Sequence, residues 1–126
     1  MKIDRLRILA VEDEAMIAFE LQDMLEDLGH EVLGPVANVD AALRLLGQSD
    51  PDAAIVDANL GGRSALPIVE ALRAAGIPFA LASGYASAEL RQFGEVRPFI
   101  KKPYGPWDLE RALKAIQGRN PSPRPT

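Results

Sequence analysis

Short, mostly apolar runs alternate along the chain with segments in which apolar residues recur at helical spacing. Runs of this kind, closed by polar or turn-forming residues, are typical of strands buried on both faces. They predict strands over residues 6–11, 31–36, 53–57, 78–83 and 97–100. Spacings of three and four predict helices over residues 15–28, 39–46, 65–75 and 108–117. Residues 86–93 are weakly helical, forming a short segment with few large apolar residues.

The fivefold alternation of strand and helix predicts an α/β fold, with a parallel sheet covered by helices on both faces. Pro35 lies in the second predicted strand, and proline is tolerated at a sheet edge rather than at its centre. We expect one domain over residues 1–118. Residues 119–126, with three prolines, are expected to form a disordered tail or the stub of a linker.

Local signals refine these boundaries. Asn38 is a suitable N-cap for the second helix, and Ser64 for the third, with Pro67 in its first turn. Gly29 and Gly76 are expected to end the first and third helices. Residues 60–63 are interpreted as a loop. Met16, Met24 and Trp107 are interpreted as packing residues.

Composition and charge exclude several classes of partner and chemistry. The 126 residues carry a net charge of −4 and no basic run, which argues against nucleic acid as a partner of this domain. With no cysteine, disulfides, thiol catalysis and thiolate metal sites are excluded. The single histidine, His30, excludes a His-rich zinc site, and we expect it at the surface, beyond the first helix. The N-terminus has no signal-peptide or transmembrane pattern, so we expect no membrane partner and a cytoplasmic location.

Four of the predicted strands end in polar side chains: Glu12-Asp13, Asp57, Ser83 and Lys102. Each is ambiguous alone, because Asp57 and Ser83 suit turns and acids suit a helix N-terminus. The carboxyl ends of parallel strands, however, share one edge of the sheet, where ligands bind in open α/β folds. The four positions together therefore predict one polar pocket.

With these residues, and with Pro103 after Lys102, the chain resembles the receiver domains of two-component response regulators, the CheY-like proteins. The resemblance spans roughly residues 5–118 and implies a doubly wound sheet of strand order 2-1-3-4-5. Residues 79–85 (Phe-Ala-Leu-Ala-Ser-Gly-Tyr) and 59–62 (Asn-Leu-Gly-Gly) further resemble the FATGUY subgroup. Its members are often single-domain proteins of alphaproteobacteria that work with HWE or related HisKA2-type histidine kinases.

The resemblance implies that Asp57 accepts a phosphoryl group from a histidine kinase or a histidine phosphotransfer protein. It implies a Mg²⁺ site in which Asp13 and Asp57 supply side-chain oxygens, Asn59 a backbone carbonyl, and Glu12 acts through bound water. Lys102 is expected to pair with the phosphoryl oxygens and Ser83 to hydrogen-bond one of them. A cis peptide bond before Pro103 is also expected.

The resemblance also implies a switch. Ser83 is expected to move towards the phosphoryl group, coupled to Phe99 and Tyr85, and to repack the face formed by the fourth strand, the following helix and the fifth strand. Asn59 and Tyr85 occupy positions that tune the lifetime of the phosphorylated state in this family. A dimer through the last helix and strand is left open.

Two other functions remain alternatives at this point. A small Mg²⁺-dependent phosphohydrolase with an aspartate nucleophile usually has a second acid two residues later, where this chain has Asn59, and a cap domain for which the chain has no room. A degenerate receiver would only bind proteins, and Glu12, Asp13, Asp57, Ser83 and Lys102 argue against it. We expect a phosphoacceptor that assists its own modification, not an enzyme that turns over metabolites.

Overall fold

The computed structural model describes residues 5–84, 90–94 and 98–119. Its strands are β1 (Arg7–Val11), β2 (Glu31–Val36), β3 (Ala53–Asp57), β4 (Phe79–Ser83) and β5 (Phe99–Lys101). Its helices are α1 (Ala15–Asp27), α2 (Val39–Gln48), α3 (Leu66–Ala75) and α4 (Pro106–Arg119). The five strands form one parallel sheet of order β2-β1-β3-β4-β5. This confirms the predicted fold class and places β2, with Pro35, at an edge.

The sheet separates two apolar cores, because successive strand residues point to opposite faces. In β3, Ala54 and Val56 pack with α2 and α3, whereas Ala53 and Ile55 pack with α1 and α4. Strand β3 is buried at every position, as expected for the centre of a doubly wound sheet.

Several boundaries differ from the sequence prediction. Residues 60–63 are not simply a loop, because Asn59–Leu60 and Arg63–Ser64 pair as a short antiparallel ribbon. The cap of α3 is Ala65, but the Ser64 hydroxyl still accepts a hydrogen bond from the Leu66 amide, at 3.0 Å. Asn38 caps α2 as predicted, its Oδ1 accepting from the Ala41 amide at 2.8 Å.

The C-terminal elements also shift. Strand β5 begins two residues later than predicted, at Phe99, although residues 95–97 lie outside the described part of the chain. Helix α4 begins two residues earlier than predicted, because Pro106 suits a first helical position and Asp108 Oδ2 accepts from the Gly105 amide at 2.9 Å. It continues to Arg119. Of the helix predicted over 86–93, residues 86–89 are not described, and Arg91–Phe93 form a 3₁₀ turn.

His30 is buried, so its expected surface position is wrong. Its side chain is 5% exposed, and its Nδ1 accepts a hydrogen bond from the Leu6 amide at 3.1 Å. The residue lies three positions beyond the end of α1, and its own amide donates to the carbonyl of Leu25 at 3.0 Å. His30 therefore links the last turn of α1 to the residue just before β1 through two hydrogen bonds.

Of the three residues interpreted as packing side chains, one lies against the core and two do not. Met24 packs partly against the core on the α1 side, as interpreted. Met16 and Trp107 are instead strongly exposed, and so is Phe19. Within the described residues, no helix combines the length and apolar character that crossing a membrane requires.

Candidate functional site

Strand register brings the polar residues together. Val11 pairs with Val56, so Glu12 and Asp57 occupy neighbouring positions at the carboxyl ends of β1 and β3. Asp57 in turn pairs with Ala82, which places Ser83 one residue further along β4. Ser83 pairs with Lys101, and the Lys102 amide donates to the Ser83 carbonyl at 3.0 Å. The predicted pocket is therefore present at this edge of the sheet.

Lys102 joins two of the carboxylates. Its Nζ donates to Glu12 Oε1 at 3.0 Å and to Asp57 Oδ2 at 3.1 Å. Glu12 and Asp57 are only 2% and 6% exposed. Buried carboxylates need such a partner, because an unpaired buried charge is strongly destabilising. The second oxygen of each carboxylate is also engaged, Glu12 Oε2 by the Glu14 amide and Asp57 Oδ1 by the Asn59 amide.

Burial dominates the electrostatics of this cluster. It raises the pKa of Glu12 to about 7 and also raises the pKa of Asp57, although the hydrogen bonds from backbone amides and from Lys102 oppose both shifts. Burial by itself would lower the pKa of Lys102, but its hydrogen bonds to Glu12 and Asp57 outweigh burial and raise it. Lys102 is thus a permanent cation beside carboxylates that are costly to ionise.

The acidic residues fit a hard cation. Carboxylate oxygens of Glu12, Asp13 and Asp57 lie within 4.8 Å of one another. Oxygen ligands at this spacing suit Mg²⁺, which is typically held by one or two carboxylates and several waters. A divalent ion would also relieve the cost of ionising Glu12 and Asp57. The three residues therefore fit a Mg²⁺ site of the kind typical of receiver domains.

The loop after Asp57 closes one side of a cleft of about 470 Å³. Asn59 Oδ1 accepts from the Gly62 amide at 2.7 Å, so its side chain shapes the loop. Gly61 has a φ of +64°, and a Cβ on it would lie 3.8 Å from Asp13 Oδ2. The remaining wall includes Ile17, Gly84 and Pro103.

The other predicted site residues are placed as follows. Ser83 is buried at the end of β4, and the peptide bond before Pro103 is cis, as expected. Phe99 lies on β5 and is 40% exposed, so its ring is not locked in the core. Tyr85 lies outside the described residues, and its expected role stays a prediction.

Sequence reasoning missed Ile17 and Tyr104. Ile17 lines the cleft from α1, and its helical spacing suggested only a core position. Tyr104 follows Lys102-Pro103 and is partly buried against the core on the α1 side. Burial raises the pKa of Tyr104, and the negative charges of Glu12 and Asp57 raise it further. The position of Tyr104 directly after Lys102-Pro103 was the available signal.

Comparison with known proteins agrees with this geometry. The family model for the response regulator receiver domain matches residues 8–114. The transcriptional regulatory protein PdtaR of Mycobacterium tuberculosis is 26% identical over 118 residues, which are 90% of this chain and 57% of PdtaR. This chain therefore spans little more than half the length of that curated relative.

Solved structures match over nearly the whole chain. SdrG from Sphingomonas melonis Fr1 is 39% identical with a TM-score of 0.79, covering 89% of this chain and 96% of SdrG. The chemotaxis response regulator CheY4 of Vibrio cholerae is 25% identical with a TM-score of 0.78, covering 90% and 99%. Receiver domains are phosphoacceptor signalling modules that work with histidine kinases and are not turnover enzymes. On its sequence, fold and site, this chain belongs to the response regulator receiver domain family.

Proposed function

We propose that this chain accepts a phosphoryl group on Asp57, in a Mg²⁺-dependent reaction, from a histidine kinase or a histidine phosphotransfer protein. The observation that carries the proposal is the pairing of Asp57 with Lys102 at 3.1 Å, inside a cluster that also contains Glu12 and Asp13. A turn-forming aspartate would not need a buried cation and two further carboxylates beside it.

Asp57 is the proposed nucleophile. One of its carboxylate oxygens forms a bond to phosphorus while the phosphorus–nitrogen bond of the donor phosphohistidine breaks. The bonding electron pair stays on the imidazole nitrogen, which is then protonated from solvent. Carboxylates that form acyl phosphates in this way are an established class of nucleophile.

The neighbouring residues compensate charge. Lys102 already donates to Asp57 Oδ2, and the phosphoryl group replaces the single negative charge of the carboxylate with about two at the same place. We assign Lys102 to the phosphoryl oxygens and the Ser83 hydroxyl to one of them. Asp13, Asp57 and the Asn59 carbonyl would hold Mg²⁺, with Glu12 acting through water. The bound ion would screen the repulsion between the carboxylates and the incoming phosphoryl group.

Ser83, Phe99 and Tyr85 are the proposed switch residues on the face formed by β4, β5 and the segment between them. The buried Ser83 and the partly exposed Phe99 are compatible with a hydroxyl that turns towards the phosphoryl group and a ring that can change its packing. SdrG has also been solved in a BeF₃-activated conformation, to which this chain is 38% identical. This supports a similar change on phosphorylation in this chain.

Helix α1 is the proposed docking surface for the kinase. Met16 and Phe19, the latter 66% exposed, flank Ile17, which lines the cleft itself. A donor that delivers its phosphoryl group to Asp57 must cover this rim.

We further propose that the chain belongs to the FATGUY subgroup and that its partner is an HWE or HisKA2-type kinase. Residues 59–62 and 79–85 support both proposals. Residues 1–118 are proposed as the receiver unit and 119–126 as a tail, although α4 runs one residue past that boundary.

Labelling with acetyl phosphate tests the function. We expect an acid-labile phosphoryl group on the wild type with Mg²⁺, and none with excess chelator or in Asp57→Asn. Asp52→Asn is the matched control, because Asp52 accepts the Arg7 amide at the opposite end of the sheet. Absence of labelling under every condition would support a receiver that only binds proteins. Labelling that persists in Asp57→Asn would exclude Asp57 as the acceptor.

A further inference from the structure

The 3₁₀ turn Arg91–Phe93 is held by side chains from elsewhere in the chain. The Ser64 hydroxyl donates to Gln92 Oε1 at 2.7 Å. Arg73, near the end of α3, donates from Nη2 to the Phe93 carbonyl oxygen at 2.6 Å. The Phe93 ring is fully buried in the core between the sheet and helices α2 and α3. The turn is therefore fixed to α3 and to the short antiparallel ribbon of residues 59–64, which precedes α3.

Ser64 is also joined to the proposed phosphorylation site. It pairs with Asn59 across the antiparallel ribbon, and the Asn59 amide donates to Asp57 Oδ1 at 3.2 Å. A continuous series of contacts thus runs from the Asp57 carboxylate to Gln92. This series does not pass through Ser83 or Phe99, and Ser64 itself does not line the cleft.

The Ser64 hydroxyl has two roles at once. It accepts from the Leu66 amide in the first turn of α3 while it donates to Gln92. A displacement of the ribbon would therefore change both contacts, since one oxygen serves both. Arg73, near the C-terminal end of α3, holds the same Arg91–Phe93 turn through the Phe93 carbonyl.

We infer that Ser64 is a positioning residue that ties the Arg91–Phe93 turn to the Asp57 loop in the unmodified protein. The inference rests on the proposed function. Formation of an aspartyl phosphate removes the negative charge of the Asp57 carboxylate and weakens it as an acceptor for the Asn59 amide, because hydrogen bonds to ionised groups are the stronger ones. The ribbon is then free to shift, and the Ser64–Gln92 bond is released.

Reciprocity gives the sign of the effect. If phosphorylation opposes the Ser64–Gln92 bond, then loss of that bond favours the phosphorylated arrangement by the same factor. A net contribution typical of a single hydrogen bond corresponds to a change of about two- to twelvefold in affinity for a phosphoryl analogue.

The experiment titrates the whole chain with BeF₃⁻ in saturating Mg²⁺ and follows backbone amide resonances. We expect Ser64→Ala and Gln92→Ala each to tighten the apparent Kd about two- to twelvefold. The double variant should tighten it no further than either single one. Ser64→Thr, which keeps a hydroxyl, should restore the wild-type Kd. Ser49→Ala is the matched control, because that hydroxyl donates to the Leu45 carbonyl at the C-terminal end of α2.

The outcomes separate the inference from the proposed function. A wild type that does not respond to BeF₃⁻ refutes the function. A wild type that responds, with unchanged Kd values in Ser64→Ala and Gln92→Ala, refutes the link alone, even if both variants lose thermal stability. Additive effects in the double variant also refute it. If Ser64→Ala fails to fold, Gln92→Ala decides, since it leaves the Leu66–Ser64 hydrogen bond in place.

Discussion

Ionisation of Glu12 should make the metal-free protein less stable as the pH rises. Burial raises the pKa of Glu12 in the folded protein to about 7, from an ordinary value of 4.5. The folded state therefore holds a proton that the unfolded state has lost between these two values. The resulting stabilisation is fully present below pH 4.5 and is lost as the pH rises through 7.

The size of the effect follows from the pKa difference. Each unit of difference is worth about 1.4 kcal/mol, so the full loss is about 3 kcal/mol. Roughly 2 kcal/mol of it falls between pH 5 and pH 8. The Glu12→Gln variant keeps an oxygen that can accept from Lys102 but does not ionise. It should therefore gain about this much stability relative to the wild type over that pH range.

Urea unfolding in the presence of chelator, at half-unit pH steps from 5 to 8, measures the effect. The informative quantity is the difference in unfolding free energy between the wild type and Glu12→Gln, because contributions from titrating groups that do not interact with Glu12 cancel; the difference reports Glu12 together with its neighbours Asp57 and Lys102. Glu31→Gln, at a half-exposed carboxylate paired with Arg7, controls for the loss of one negative charge. A difference that does not vary with pH, or that favours the wild type as the pH rises, would show that pairing with Lys102 outweighs burial. Saturating Mg²⁺ should flatten the wild-type profile, because the ion binds the ionised carboxylates.

Three further predictions address other residues. Lys102→Met should lose about 3 kcal/mol of stability at pH 8, because Glu12 and Asp57 remain buried without a cation. The loss should be smaller at pH 6, and equal losses at both pH values in urea unfolding would contradict this prediction. Burial lowers the pKa of His30, so the wild type should lose stability relative to His30→Asn as the pH falls below about 6.5. If the unfolding free energies of the two proteins change with pH in parallel, this reasoning is wrong. Phe19→Ala should slow phosphoryl transfer from the cognate kinase about tenfold. Its labelling by acetyl phosphate should be unchanged, and an equal decrease in both rates would exclude a docking role.

The ends of the strands were the most predictable part of the site. A buried strand has an apolar pattern, so the first polar residue after it marks the edge where parallel strands end. This argument located Glu12, Asp57 and Ser83 and gave the pair Lys101-Lys102 for the last strand, of which the resemblance to receiver domains singled out Lys102. Strand pairing confirmed that these strand ends meet. Pro35 likewise indicated an edge strand because its missing amide would disrupt a central one.

Contacts between distant side chains were not predictable in the same way. Lys102 and Glu12 are separated by 90 positions, and no periodicity reports that they share a hydrogen bond. The burial of His30 accompanies hydrogen bonds to Leu6 and Leu25, which belong to different elements, and no local pattern reports such contacts. The short ribbon and the Ser64–Gln92 contact depend on how a glycine-containing turn folds back, and the sequence pattern of residues 59–64 is equally typical of an open loop.

The two apolar cores have a consequence for signalling. The sheet separates them, and Phe93 anchors the Arg91–Phe93 turn in the core shared with α2 and α3. Helix α1, the proposed site of kinase contact, packs with α4 on the opposite side. Rearrangement of the turn can therefore proceed while the kinase-facing side keeps its shape. A kinase would then recognise the phosphorylated and the unphosphorylated receiver alike. Release of the phosphorylated receiver from the kinase would depend on the altered chemistry of Asp57 itself.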